Sequence, residues 1–258
     1  MSAQLARLAF EGSVVLLRLE NPPANALSRA CLADLGAALA EVDVAAARAL
    51  IITGAGSRFF SAGLDLFDLE SLDRPALGAL LDDLTSFYLR LFRLPFPVVA
   101  AVNGHAVAGG AILALCADHR IAARGDLVVG LNELQVGLPL PGALFEVVRA
   151  QVGPRAAAEV LLEGRNYDVE EAARWGLIQR LVEPSELEDR SLELAHKLAR
   201  VPREAYRRMK ELLRADVEPR IRGHKAPDAF LDIWFTPETK QALDEARSRI
   251  SKRKKESP

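Results

Sequence analysis

Two short apolar segments of this chain are each followed by a glycine-containing loop and then by a segment with helical periodicity. Residues 49–53 precede a loop around Gly63, and residues 98–102 precede the loop Ala108-Gly109-Gly110. Apolar runs of this length, bounded by turn residues, are typical of fully buried strands. Backbone N–H groups at a strand-to-helix turn lack intrahelical partners, and glycine lets another group approach them closely. Two such turns facing one point would hold a negatively charged oxygen, although a Gly-Gly pair after a strand is also typical of a simple packing turn.

The order of the predicted elements indicates an α/β protein. Strand patterns alternate with helical patterns over the first half of the 258 residues, and helical patterns predominate beyond residue 141. This order is typical of a chain whose sheet is covered by helices. No low-complexity linker and no repeat with a period of about 20–50 residues divides the chain.

The charge balance and the cysteine content exclude several classes of partner. Lys and Arg number 33 and Asp and Glu 35, which gives a net charge of -2 and no basis for binding nucleic acid or an anionic membrane. No apolar run reaches the roughly 18–20 residues that span a bilayer, and the N-terminus has no hydrophobic signal segment. Cys31 and Cys116 lie among apolar residues, which indicates core positions in a reducing compartment. We therefore expect a cytoplasmic protein, and the four histidines show no metal-ligand spacing.

Several common catalytic motifs are missing from the sequence. The first buried strand is not followed by G-x-G-x-x-G, and the chain contains no G-x-x-x-x-G-K-[ST]. Dinucleotide and triphosphate cofactors are therefore not expected. The absence of a G-x-S-x-G turn argues against a serine hydrolase of the α/β-hydrolase type.

Glu133 is a single carboxylate within an otherwise apolar stretch, Gly130-Leu131-Asn132-Glu133-Leu134. A glutamate at the start of a helix is favoured by the helix dipole, so Glu133 could have a purely structural reason. The alternative is a general base whose proton affinity is raised by its apolar surroundings. The residues alone leave both interpretations open.

Three segments, in order along the chain, form a recognisable set: FSAGLDL at 60–66, AVNGHAVAGG at 101–110 and DHRIA at 118–122. Together they resemble the core signature of the crotonase (enoyl-CoA hydratase/isomerase) superfamily. The resemblance extends from about residue 14 to about residue 183 and includes the later segment EEAARWGLI at 170–178.

This resemblance implies a fold of ββα turns stacked as a spiral, followed by C-terminal helices that form a trimer. We accordingly expect residues 1–195 to form the core with an acyl-CoA site. Residues 196–258 would form a helical region for assembly into a homotrimer or hexamer. The substrate implied is an acyl-CoA thioester, with coenzyme A as part of the substrate and no separate cofactor.

The resemblance also assigns roles to individual residues. The N–H groups of Leu64 and Gly109 match the donors of the family's oxyanion hole, and Glu133 matches an acid–base glutamate. Contacts with the substrate or coenzyme A are implied for a further group of loop and helix residues, namely Ala24, Ala26, Ser61, Ala62, Gly63, Asp65, Leu66, Gly110, Ile112 and Asn132.

The helix after Gly109-Gly110 distinguishes the members of this superfamily. Members resembling the hydratases carry a glutamate there and another on the segment of Glu133, so that two carboxylates hold one water. This chain has Ile112 at the first position and keeps only Glu133. One base suits a proton shuttle from C2 to C4, as in the Δ3,Δ2-enoyl-CoA isomerases, which the local motifs resemble most closely.

Three alternatives remain open at this stage: a hydratase or dehydratase, a decarboxylase, and a non-catalytic acyl-CoA binding protein. A partner acid is not assigned, and the candidates are Asp65, Tyr88 and His119.

Overall fold

The computed structural model of the chain describes residues 5–42, 44–224 and 228–256. Its larger sheet has six strands in the spatial order β1-β2-β3-β5-β7-β10, with β1 antiparallel to β2 and every other pair parallel. The strands are β1 (Ala6–Glu11), β2 (Val14–Leu19), β3 (Ala49–Gly54), β5 (Val98–Val102), β7 (His119–Ala123) and β10 (Arg180–Val182). The central strands β3 and β5 are buried along their whole length, as their apolar sequences predict.

A second sheet runs alongside in the order β4-β6-β8-β9, with only β9 antiparallel to its neighbour. Its strands have three residues each: β4 (Phe59–Ser61), β6 (His105–Val107), β8 (Val128–Gly130) and β9 (Asn166–Asp168). Between residues 49 and 130 the chain supplies a strand to the large sheet and then one to the small sheet, three times in succession. Helices follow the first two strand pairs and a 3-10 turn follows the third, which confirms the expected spiral of ββα turns.

The described residues contain twelve helices. Eight of them begin after residue 141, where helical patterns predominate in the sequence. The twelve helices are α1 (Arg29–Glu41), α2 (Leu66–Leu69), α3 (Arg74–Phe92), α4 (Gly109–Leu115), α5 (Gly142–Val152), α6 (Pro154–Glu163), α7 (Val169–Arg174), α8 (Leu187–Ala199), α9 (Arg203–Arg214), α10 (Val217–Gly223), α11 (Asp228–Trp234) and α12 (Pro237–Glu256).

Helix α4 lies at the centre of the molecule, because all seven of its residues are buried. It begins at Gly109, so both glycines of the predicted loop Ala108-Gly109-Gly110 belong to the helix. Helix α8 packs on β3 and β5 of the large sheet. The predicted boundary at residue 195 therefore falls inside a helix of the core, and the division into two regions stays a prediction.

Helix α9 is fixed to the core by charged side chains. The Asp118 carboxylate, at the start of β7, accepts hydrogen bonds from Lys210 Nζ and Arg214 Nη2, both at 2.7 Å, and from the backbone N–H of Val98 at 2.9 Å. The side chains of Asp118, Lys210 and Arg214 are all buried or nearly so. Elsewhere on α9 the apolar Met209, Leu212 and Leu213 are exposed.

The two cysteines occupy core positions, as the sequence predicts. Cys31 and Cys116 are both buried and unpaired, and burial raises the pKa of each thiol to about 12. Among the residues that the structure describes, no helix combines the length and apolar character needed to cross a bilayer.

Candidate active site

The loops that precede α2 and α4 meet at Gly63 and Gly109. A Cβ atom on Gly63 would lie 2.9 Å from the backbone nitrogen of Gly109 and 2.9 Å from the carbonyl oxygen of Val107. The positive φ of 82° at Gly63 also favours glycine. The two turns predicted from the sequence are thus in contact, as a shared site for a negatively charged oxygen requires.

The backbone bonding around Leu64 determines where its amide points. Leu27 N–H donates to the carbonyl of Gly63 at 2.8 Å, and Asp65 N–H donates to the carbonyl of Leu27 at 3.2 Å. These bonds make a parallel bridge between Leu27 and Leu64. In such a bridge the N–H of Leu64 faces away from Leu27. Within the described chain no protein acceptor receives this N–H.

The amide of Gly109 is the first of helix α4 and therefore has no intrahelical partner. Its direction is set by Ala108, which adopts φ 50° and ψ -124°, a conformation that costs a non-glycine residue about 1–3 kcal/mol. Ala108 is held there because its N–H donates to Gly130 at 2.8 Å and its carbonyl accepts from Ala111 at 2.9 Å. A strained residue next to a free amide is typical of a functional site.

Ser61 holds the first loop in place. Its hydroxyl donates to the carbonyl of Asn25 at 2.8 Å and accepts from the N–H of Gly63 at 3.2 Å. The neighbouring Ala62 N–H donates to the carbonyl of Ala24 at 3.0 Å. Ser61 is fully buried, so its side chain stabilises the loop from the interior of the protein.

Several of the residues predicted to contact coenzyme A lie in or next to the loop that contains Ser61. Ala24 is tied to Ala62 as described, and the carbonyl of Ala26 accepts from the side chain of Asn21 at 2.7 Å. The Asp65 carboxylate caps helix α2 by accepting from the N–H groups of Phe67 and Asp68, and Leu66 is the first residue of that helix. These hydrogen bonds hold the loop and the start of α2 in place. The contact of these residues with coenzyme A stays a prediction.

Gly110 is a packing position. A Cβ atom there would lie 2.1 Å from the carbonyl oxygen of Ser61, so only glycine lets α4 start directly on strand β4. Ile112, two residues further along α4, is buried with 2% of its surface exposed. An aliphatic side chain at this position brings neither a donor nor an acceptor into the centre of the molecule.

Glu133 begins a 3-10 turn, Glu133–Val136, that directly follows strand β8. Its residue surface is half-buried, but the Oε2 atom is buried and has no hydrogen-bond partner among the described residues. Burial raises the pKa of the carboxyl group to about 7, against an opposing hydrogen bond from the backbone of Glu133. The sequence left open a purely structural glutamate favoured by the helix dipole, and a buried carboxylate oxygen without a partner among the described residues favours the general base.

The turn that carries Glu133 is contacted by later parts of the same chain. A Cβ on Gly137, at the end of the turn, would lie 3.2 Å from Oγ1 of Thr239 in α12. On the other side, Leu134 packs against Gly164 at the end of α6. Asn132 precedes the turn and makes no side-chain cap to it, so its predicted contact with the substrate stays a prediction.

Tyr88 joins this group from helix α3. Its hydroxyl donates to the carbonyl of Gly109 at 2.6 Å. Its pKa is raised well above the ordinary value by burial and then by the charges of Cys116, Glu133 and Cys31. The sequence named Tyr88 only as a candidate acid. A tyrosine within the apolar face of α3 nevertheless indicated a hydrogen bond in the core, because a buried phenol requires a hydrogen-bond partner.

The other two candidate acids are placed differently. Asp65 is engaged in capping α2, and His119 lies in strand β7, where burial lowers its pKa. Among the described residues no three His, Cys, Asp or Glu side chains come together as a group that could hold a metal ion.

Comparison with known proteins agrees with this geometry. Residues 9–249 match the family model described as enoyl-CoA hydratase/isomerase. The carnitinyl-CoA dehydratase of Proteus mirabilis is 35% identical over 226 residues, which cover 86% of this chain and 85% of that protein.

Two solved structures show the same fold over most of their length. The human mitochondrial delta3-delta2-enoyl-CoA isomerase superposes with a TM-score of 0.92 at 26% identity, covering 97% of this chain and 100% of that one. A probable enoyl-CoA hydratase from Mycobacterium tuberculosis gives 0.80 at 30% identity, covering 85% and 92%. The family match over residues 9–249 and the 35% identity show that the chain belongs to the enoyl-CoA hydratase/isomerase family of acyl-CoA enzymes.

Proposed function

We propose that this enzyme isomerises a 3-enoyl-CoA to the conjugated 2-enoyl-CoA with Glu133 as its only proton carrier. The observation that carries the proposal is the Glu133 carboxyl group, whose Oε2 atom is buried without a partner among the described residues and whose pKa is about 7. A base with a pKa near the working pH both accepts a proton readily and returns it readily. An isomerase needs both steps from the same group.

The reaction begins with removal of a proton from C2. The Glu133 carboxylate takes this proton, and the electron pair of the C–H bond spreads over the C3–C4 double bond and the thioester carbonyl. The charge that develops on the carbonyl oxygen is held by the N–H groups of Leu64 and Gly109. Each such donor contributes about 2.7–4 kcal/mol in comparable enzymes.

The second step returns the same proton. Glu133 delivers it to C4 of the dienolate, and the double bond moves from C3–C4 to C2–C3. No water takes part and no redox change occurs. Ile112 supports this proposal, because a buried aliphatic side chain stands where the hydratases resembling this chain carry their second glutamate.

Dehydration of a 3-hydroxyacyl-CoA is the second candidate function. It is favoured by the 35% identity with the carnitinyl-CoA dehydratase of Proteus mirabilis. In that reaction Glu133 would remove the C2 proton and the hydroxyl group would leave from C3. The proton on Glu133 would then leave with the hydroxide as water.

A panel of thioesters separates these reactions. The purified protein is given 3-hexenoyl-CoA, crotonyl-CoA, 3-hydroxybutyryl-CoA, carnitinyl-CoA and malonyl-CoA, and the products are resolved by chromatography. We expect the fastest turnover with 3-hexenoyl-CoA. Faster turnover of a hydroxyacyl ester would establish the dehydratase, loss of carbon dioxide from malonyl-CoA a decarboxylase, and tight binding without turnover a binding protein.

We also infer that the chain assembles into a homotrimer or hexamer. Helix α9 buries charged side chains and exposes Met209, Leu212 and Leu213 at 60%, 57% and 74% of their surface. Apolar side chains grouped on one exposed helix face are typical of a surface that is covered by another subunit. Light scattering on the wild type and on Leu213→Glu tests this: we expect a trimer or larger for the wild type and smaller species for the variant, and a monomeric wild type would contradict it.

A further inference from the structure

Tyr88 reaches the point where the two loops touch. Its Oη atom lies 3.1 Å from the position that a Cβ on Gly109 would occupy, and the Cα atom of Gly63 lies 3.5 Å from that same position. The tyrosine is fully buried, and its only hydrogen bond in the described structure goes to the carbonyl of Gly109. The proton shuttle described above does not use this hydroxyl group.

The backbone of Gly109 and Gly110 depends on contacts from other residues to hold its conformation. Gly109 and Gly110 are consecutive glycines, which have more backbone freedom to lose than any other residue. The residue before them, Ala108, is in a strained conformation. A donor for a developing negative charge is effective only if it is already oriented before the charge appears. Neither glycine has a side chain that could pack and hold the segment.

We propose that Tyr88 is a positioning residue that fixes the Gly109 backbone, so that the Gly109 amide stays directed at the thioester oxygen. The inference rests on the proposed function in one respect only: a thioester must bind between Leu64 and Gly109. It does not depend on which reaction follows, because every reaction of an enolate at this site uses the same oxygen.

The phenol is suited to a purely positional role. Burial, and after it the charges of Cys116, Glu133 and Cys31, raise the pKa of Tyr88 well above its ordinary value. The hydroxyl group therefore stays protonated across the working pH range and donates to Gly109 throughout. It supplies no proton to the substrate, and Glu133 keeps that task.

The test uses the absorption of a bound dienoyl thioester. A 2,4-hexadienoyl-CoA absorbs at longer wavelength when hydrogen bonds polarise its carbonyl, so the shift reports on the oxyanion hole directly. For Tyr88→Phe we expect a smaller shift to longer wavelength, a Kd close to that of the wild type and a kcat lowered about tenfold, a fraction of the 10²–10³ lost with a whole donor. KM should change little.

Tyr167→Phe is the matched control. Tyr167 is also fully buried, and its hydroxyl donates to Glu163 at 2.8 Å. This variant also loses a hydrogen-bonded tyrosine hydroxyl, but at another place in the fold. We expect it to keep the wild-type absorption shift and kcat, with any change confined to thermal stability.

A second variant keeps the proposal testable if Tyr88→Phe folds poorly. In Gly109→Ala the new Cβ would meet the Tyr88 hydroxyl at 3.1 Å and push it from its place. We expect this variant to reduce the shift as well, and the double variant Tyr88→Phe/Gly109→Ala to lose less than the product of the two single losses.

Three outcomes decide the matter. A reduced shift in Tyr88→Phe, with a less than multiplicative loss in the double variant, supports the positioning role. An unchanged shift and kcat in Tyr88→Phe overturns it while leaving the proposed function intact. A wild type that binds the dienoyl thioester without any shift contradicts the oxyanion hole itself, and both the proposed function and this inference fall with it.

Discussion

Thr239 of the last helix lies against Gly137, the residue that closes the turn carrying Glu133. Its Oγ1 atom donates to the carbonyl of Gly137 at 3.4 Å, across 102 positions of sequence. Helix α12 therefore packs against the turn from within the same chain. The Oε2 atom of Glu133 is itself buried, and a carboxyl group kept from water holds its proton to a higher pH than an exposed one.

The first prediction concerns the pH dependence of turnover. Glu133 must be ionised to accept the C2 proton, and its pKa is raised to about 7. Below that pH the active fraction falls tenfold per pH unit, so kcat/KM should rise with pH and level off above about pH 7. Initial rates with 3-hexenoyl-CoA between about pH 5 and pH 9 measure this. A profile that is flat down to about pH 5 would show that the pKa of the catalytic base is not raised, or that the base is not Glu133.

The same pKa predicts an effect on stability. The pKa of Glu133 is about 7 in the folded chain and close to the ordinary 4.5 when unfolded, so the unfolded chain releases this proton first as the pH rises. The wild type therefore loses stability between about pH 4.5 and pH 7. Glu133→Gln has no proton to release, and at about pH 8 it should be more stable than the wild type by on the order of 2–3 kcal/mol.

Urea unfolding of both proteins at about pH 5 and pH 8 measures the difference. We expect a small gap at the lower pH and a large one at the higher pH. A gap of the same size at both values would mean that the substitution acts through packing and not through the charge.

Gly110→Ala tests the contact between α4 and β4. The new Cβ would overlap the carbonyl oxygen of Ser61, which belongs to the backbone and cannot move aside cheaply. We expect a loss of about 3 kcal/mol or more in the free energy of unfolding. Gly36→Ala is the control, because no atom lies within 4 Å of its Cβ position in helix α1, and alanine should stabilise that helix by about 1 kcal/mol. Equal effects in the two variants would refute the close approach.

Asp118→Asn tests how α9 is attached. The substitution leaves the cations of Lys210 and Arg214, whose side chains are 8% and 11% exposed, without their buried anion. Breaking such a group costs about 3–5 kcal/mol. In the control Asp232→Asn, the lost partner is the exposed Arg74, and the change should stay below about 1 kcal/mol. Thermal unfolding of the two variants compares them, and similar melting temperatures would contradict the account.

The sequence predicted the long elements well and the short ones poorly. The local apolar pattern is long enough to be recognised in strands β3 and β5 and in helices α1 and α3. Strands β4 and β6 have only three residues, and their pairing with each other is a long-range contact that no local pattern encodes. The convergence of Gly63 and Gly109 depends on that pairing, so it could be inferred only from the family resemblance.

Helix α9 illustrates a second limit. Its apolar residues form one face, and the usual rule would place that face in the core. The structure instead buries Lys210, because Asp118 supplies a matching charge from 92 positions away. The contact of Tyr88 with Gly109 was hidden for the same reason, since the partner of a buried polar group follows from the tertiary fold.

Glu133 is the central residue of the proposed mechanism, and one comparison of two proteins tests its role as the proton carrier directly. Formation of the conjugated 2-enoyl absorbance from 3-hexenoyl-CoA is followed for the wild type and for Glu133→Gln, after both have been shown to bind 2-hexenoyl-CoA with similar Kd. We predict rapid isomerisation by the wild type and a loss of about 10²–10⁴-fold in kcat for the variant, the contribution expected of a general base. Equal rates in the two proteins would contradict the mechanism.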